Sequence, residues 1–94
     1  MIEHVVLFKF SDEAKISQAV EKLNALKAKI PQIIEMSAGT NFSDRGQGFQ
    51  FGLRMLCRSK EDLQTYATHP AHLEVVHEDI LPYKEDILVL DFER

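Results

Sequence analysis

Ile2-Glu3-His4-Val5-Val6-Leu7-Phe8-Lys9-Phe10 constrains the architecture more than any other segment of the chain. Its alternation predicts a strand with Ile2, His4, Val6, Phe8 and Phe10 on one face and Val5 and Leu7 on the other. Both faces are partly apolar. A strand with one wet face alternates more cleanly, so this one needs cover on two sides.

Next in the chain, Ser11-Asp12-Glu13 opens a helix, with Ser11 the expected N-cap and the two acids at the positive end of the dipole. Ile16, Ala19, Val20, Leu23, Leu26 and Ile30 recur at three- and four-residue spacings and form its buried stripe. Pro31 is expected to end it. A weaker strand follows over residues 33–40, then a polar, Gly-bearing connection over 41–48. Residues 49–58 read as a third strand. Phe49, Phe51, Leu53, Met55 and Cys57 share one face, and Arg54, Leu56 and Arg58 the other. Ser59 to Asp62 starts a second helix, whose inner side carries Leu63, Tyr66 and Ala67. Pro70 interrupts it, and a further helical piece is expected over 71–78. After a turn at Leu81-Pro82-Tyr83, a last strand over 87–92 opposes Ile87 and Val89 to Leu88, Leu90 and Phe92.

The order is β-α-β-β-α-β. Right-handed crossovers make that an α+β, ferredoxin-like sandwich: one antiparallel sheet with both helices on one face. The other face then exposes Val5, Leu7, Leu56 and one side of the last strand. That is too apolar for solvent, and a second copy packed sheet to sheet as a homodimer is the simplest cover.

Ninety-four residues fit a single domain over 1–94. A net charge of −4 without a basic run argues against nucleic acid as a partner. No apolar stretch is long enough for a membrane helix, and the start lacks the order of a signal peptide. Cys57 is the one cysteine, which excludes an intramolecular disulfide, and a cytoplasmic setting is expected. Nucleotide-binding glycine motifs and nucleophile elbows are absent. Gly46-Gln47-Gly48 precedes a strand and reads as a loop hinge.

Chemistry concentrates in Tyr66-Ala67-Thr68-His69-Pro70-Ala71-His72. Imidazole is suited to moving protons near neutral pH, and the proline stops the segment from being one continuous helix. His4 lies on the strand face assigned to the helices. A pocket lined by His4, Tyr66 and His72 is therefore expected, with Phe8, Phe51 and Val20 as apolar walls. A neutral imidazole there abstracts a proton while the phenol holds an oxyanion. The competing reading makes the histidines caps and packing. His4, His69 and His72 also offer three nitrogens to a zinc ion, but nothing completes a known zinc motif. His77, among acidic neighbours, reads as surface.

The opening strand, the glycine loop before Phe49 and Tyr66-x-x-His69-Pro70-x-His72 together resemble the stress-responsive dimeric A/B barrel family across essentially the whole chain. The resemblance implies a ferredoxin-like domain that dimerises through its sheet into a barrel. One plant member of that family, olivetolic acid cyclase, is a polyketide cyclase. Its catalytic tyrosine and histidine match Tyr66 and His72, and its other pocket histidines match His4 and, as a departure, Phe51. Helix positions lining its pocket match Val20 and Leu23. His69, three residues and so one helical turn from Tyr66, is expected among the substrate-binding residues on spacing alone. The roles implied are His72 as general base, Tyr66 as oxyanion donor and His4 as a positioning group, on a small aromatic or carbonyl ligand. No organic cofactor is implied. Some relatives carry Mg²⁺ or Ca²⁺ on backbone carbonyls matching Lys27, Ile30 and Ile33. A haem or quinol monooxygenase on the same fold is a further alternative, and a stress-associated dimer without catalysis another.

Overall fold

A computed structural model describes all 94 residues. The first strand, β1, spans Ile2–Phe10, as its alternation predicts. A short 3₁₀ turn, Glu13–Lys15, leads into α1, Ile16–Ala25. The cap is Asp12, whose carboxylate accepts from Ala14 N–H at 3.0 Å. Ser11 is not the cap because it is held elsewhere: its N–H and hydroxyl both donate to the Tyr83 carbonyl. The helix also stops before Pro31. Leu26–Ala28 tightens to 3₁₀ geometry, which still buries Leu26 and delivers Ile30 to the core.

Strand β2 is Glu35–Thr40, shorter than the predicted 33–40, and β3 is Phe51–Cys57, shorter than 49–58. Gln50 lies just outside the ladder but is not idle. Its N–H donates to Phe8 O and its side chain accepts from Phe10 N–H at 2.6 Å. In the connection between the two strands, Gln47 and Gly48 have positive φ, at 53° and 88°. Gly48 takes that conformation without steric cost.

Helix α2, Lys60–Thr68, is capped by the Ser59 hydroxyl, which accepts from Asp62 N–H. Pro70 starts a separate α3, Pro70–Val75, and Val76–Ile80 continues as a π-helical turn. Strand β4, Lys84–Glu93, is longer than predicted because its register with β1 runs the whole length of that strand, from Ile2↔Glu93 to Phe10↔Lys84.

All neighbouring strands are antiparallel, in the order β2-β3-β1-β4. This is the ferredoxin-like α+β sandwich. The core lies between sheet and helices, built from Ile2, Val6, Phe8 and Phe10 of β1, Phe51, Leu53, Met55 and Cys57 of β3, and Ala19, Leu23, Leu26 and Tyr66 of the helices. Phe8 stacks on Phe51 at 4.6 Å, and Phe10 meets Phe51 edge to face at 4.8 Å.

The opposite face has no cover within the chain. Leu88, Leu90 and Phe92 of β4 stand 55%, 59% and 47% exposed there. Toward the middle of that face Arg54 donates to Glu3 Oε2 at 3.0 Å and pairs with Glu35, while Arg94 also pairs with Glu3. Glu3 is buried beneath these two cations. Leu56, expected to be exposed on this face, is buried instead, opposite Glu3 in the β1–β3 ladder. Arg58, assigned to the same face, is simply exposed.

Candidate functional site

Three chemistry-bearing side chains meet under the helices. β1 presents His4 on its covered face. α2 presents Tyr66, 1% exposed, and α3 presents His72. The Tyr66 ring is centred 5.8 Å from His4 and 4.4 Å from His72, so the phenol stands between two imidazoles. Together they line a cavity of about 220 Å³, walled by Val6, Phe8, Leu23, Leu53, Val76 and Ile80. Leu81, Ile87 and Val89 complete its lining. Leu81 and Val89 are exposed, which puts the mouth beside β4.

The backbone break at Pro70 builds this arrangement. A residue before proline is pushed to extended geometry, and His69 sits at φ −64°, ψ 136°. It ends α2 and caps α3 at once. The new helix axis carries His72 back over Tyr66. Two residues of the π turn, Val76 and Ile80, then reach the same cavity, at a spacing that brings both to one wall.

Hydrogen bonding fixes which imidazole nitrogen is free. His72 Nδ1 lies 2.9 Å from the Ala67 carbonyl, which can only accept. Nδ1 therefore carries the proton, and neutral His72 has its lone pair on Nε2. Burial lowers the His72 pKa, with the nearby His4 and His69 adding to the effect and the Ala67 contact partly opposing it. His72 is thereby held neutral, as a base must be. His4 Nδ1 is hydrogen-bonded to the Asp91 carboxylate, so it too is a donor and leaves Nε2 free. No pattern in the sequence marks Asp91 as a partner of His4. It stands directly opposite His4 in the β1–β4 ladder.

Tyr66 completes the set. Its hydroxyl is buried with no protein hydrogen-bond partner, and burial pushes its pKa well above the ordinary phenol value. It is a neutral donor without an acceptor. Leaving such a group unpaired costs about 1–3 kcal/mol, which a bound acceptor would recover.

Three expected wall residues lie elsewhere. Phe51 is core, covered by Phe8 and Phe10. Val20 lines a different, polar cleft of about 910 Å³ between α1 and the loop before β3. That cleft is larger but open, with none of the histidines on its walls. His69 uses Nδ1 to accept from Ala71 N–H at 3.0 Å, a capping duty that takes it out of the cavity lining. Phe8 and Leu23 line the cavity as expected.

Lys27, Ile30 and Ile33 lie on the tight turn after α1, where the Ile30 carbonyl accepts from Ile33 N–H at 3.2 Å. No three His, Cys, Asp or Glu side chains converge there or elsewhere. A cation at this turn would rest on backbone carbonyls, oxygen donors of the kind hard ions take. Cys57 is buried in the core, and burial raises its thiol pKa, as suits packing rather than reactivity. His77 is exposed.

A ferredoxin-like domain with one bare, apolar sheet face and a histidine–tyrosine cavity under its helices is thus defined. Residues 2–94 match the stress responsive A/B barrel domain, and the chain belongs to that family. It is 40% identical over 96 residues to one stress-response A/B barrel domain-containing protein of Arabidopsis thaliana, covering 98% of this chain and 36% of that protein. It is 35% identical over 99 residues to a second protein of that description from the same plant, covering 98% and 46%. The chain therefore spans less than half the length of these curated relatives. Among solved structures it is similar to a dimeric, ferredoxin-like protein of unknown function from Bacteroides fragilis. The identity is 28%, the TM-score 0.87, and the match covers 99% of this chain and 95% of that one. No helix is long and apolar enough to cross a membrane.

Proposed function

We propose that this domain works as a homodimer that binds a small, apolar carbonyl or phenolic compound in the cavity beneath its helices. The observation that carries the reading is the buried, unpartnered hydroxyl of Tyr66 between two imidazoles whose free nitrogens are set by Ala67 and Asp91. A cavity of about 150 Å³ takes a benzene ring. At about 220 Å³ this one has room for a single ring with small substituents. The homodimer rests on the bare face of the sheet and on the dimeric state of the B. fragilis relative. A cytoplasmic setting belongs to the same proposal and fits the free thiol of Cys57.

The geometry supports one chemistry. His72 Nε2 takes a proton from an acidic carbon next to a carbonyl. The Tyr66 hydroxyl donates to the enolate oxygen that forms. His4, held by Asp91, positions the substrate from the other side. This is the acid–base half of a cyclase-like condensation or of an isomerisation. A hard cation at the Lys27–Ile33 turn would be structural, raising the melting temperature on addition of Ca²⁺ without touching the cavity.

A thermal-shift screen of small aromatic and β-keto acids on wild type and His72→Ala tests the reading. Stabilisation of the wild type that vanishes in the variant supports a ligand at His72. Absence of any hit, with a large drop in melting temperature caused by the substitution alone, would make His72 a packing residue and remove the proposal.

A further inference from the structure

The bare face of the sheet is high on one side and low on the other. Along one register level it reads Leu88 on β4, Leu7 on β1, Gly52 on β3 and Gly39 on β2. Two leucines stand on one half; the other half bears no side chain of its own, and Leu7 Cδ2 leans over Gly52 to 3.1 Å from where its Cβ would stand, so the hollow opens chiefly at Gly39. The missing side chains leave a hollow of about 400 Å³ on the β2–β3 half, edged by Leu7, Ser37 and Arg54. The next levels are fuller on that half and bound the hollow: Leu90 and Val5 face Ser37 and Arg54, whose guanidinium is drawn to Glu3 and Glu35, and Phe92 stands on the same β4 side.

From this shape we infer that Gly39 and Gly52 form a socket that receives a leucine of β4 from a second copy of the chain, Leu88 by its level, and so fixes how the two sheets register. The inference rests on the homodimer proposed above and adds its geometry. A symmetric dimer packs the same patch against itself. A twofold axis across the strands would set ridge on ridge and leave two hollows face to face. A twofold axis along the strands lays the β4 half of each copy over the β2–β3 half of the other, so both ridges enter both hollows. Only the second arrangement fills the space, and interfaces pack as densely as interiors. The charges agree with it. Glu3, Glu35, Arg54 and Arg94 neutralise one another within the subunit, so the socket side asks for no external counter-charge.

Gly39 allows a clean test. A Cβ built there meets nothing within 4 Å, and Gly39 is absent from the positive-φ residues, so a side chain is tolerated in the subunit itself. In a strand it would even be favoured over glycine. Gly52 is unsuitable, since its Cβ would approach Val6 O at 2.9 Å. Gly39→Leu should keep its circular dichroism while its dimer dissociation constant, from sedimentation equilibrium, rises about 30-fold or more. Leu88→Ala added to Gly39→Leu should recover part of that loss, because it shortens the knob for the filled socket. A dimeric wild type with Gly39→Leu associating just as tightly would overturn the socket while leaving the homodimer intact. A wild type that stays monomeric at all concentrations would remove both. Should Gly39→Leu not fold, Gly39→Ala with the same rescue pair keeps the test open.

Discussion

Both faces of β1 carry apolar residues, four of five on one and two of four on the other, and their fates are opposite. On the covered face Val6, Phe8 and Phe10 vanish into the core, and the one polar residue, His4, is tied to Asp91 at the cavity edge. On the bare face Leu7 stays half exposed beside Leu88, and the one acid, Glu3, is buried under two arginines. Hydrophobicity favours the covered face, but it does not by itself decide what is packed, since Leu7 stays exposed. The helices decide it, by covering one side only. The difference also sorts polar groups by use. The bare face neutralises its charges in pairs, which suits an interface. The covered face keeps a phenol unpaired and two imidazoles half-paired, which suits a ligand.

The largest effect should come from placing the same carboxylate on each face. Leu53→Asp puts an unpaired charge into the core and should cost about 4 kcal/mol or more, a large part of the stability of a domain this size. Leu90 lies outside the core, so Leu90→Asp should leave the subunit its far-UV spectrum and cost it the dimer. Denaturant melts and sedimentation equilibrium on both variants check this. Equal unfolding by the two substitutions would mean that the bare face is part of the fold's own stability.

Much of this is legible in the sequence. The two apolar faces of β1 dictate a second layer and a second cover, and the element order leaves little choice of topology. Pro70 announces the break between α2 and α3. What the sequence does not show is register. Asp91 lies 87 residues from His4, and only the β1–β4 pairing puts them opposite one another. Helical spacing groups His69 with Tyr66 and hence with the cavity, yet the proline that follows it turns it into a cap. The π turn leaves no periodic signature, so nothing in the sequence marks Val76 and Ile80 as walls. The glycines on the bare face are invisible for the same reason as Asp91. Gly39 and Gly52 are far apart in the chain and become one hollow only through the β2–β3 ladder.

A smaller and sharper effect is expected at Tyr66. Tyr66→Phe removes a buried donor with no protein acceptor, so the free protein should be unchanged or slightly more stable. Affinity for a ligand found in the thermal-shift screen should move the other way, falling by about 0.5–1.5 kcal/mol for one lost hydrogen bond. Calorimetry of binding and of unfolding on the same pair of proteins gives both signs. A drop in stability with unchanged affinity would return Tyr66 to ordinary core and leave the covered face without a distinct role.

The smallest effect concerns pH, and its sign separates a base from a charged partner. His72 has a lowered pKa in the folded protein, chiefly from burial, against about 6.5 when unfolded. Above that value both states are neutral at His72 and it contributes no pH dependence. As the pH falls through about 6.5 the unfolded chain takes up a proton first. Stability therefore declines with falling pH until the lower folded value is reached, and the His72 contribution is constant beyond it. His72→Gln deletes this contribution, so wild type should lose more melting temperature than the variant between about pH 7 and 5. A steeper loss in the variant would mean that folding favours protonated His72. Its Nε2 would then be a hydrogen-bond donor in the cavity, and His72 could not be the base.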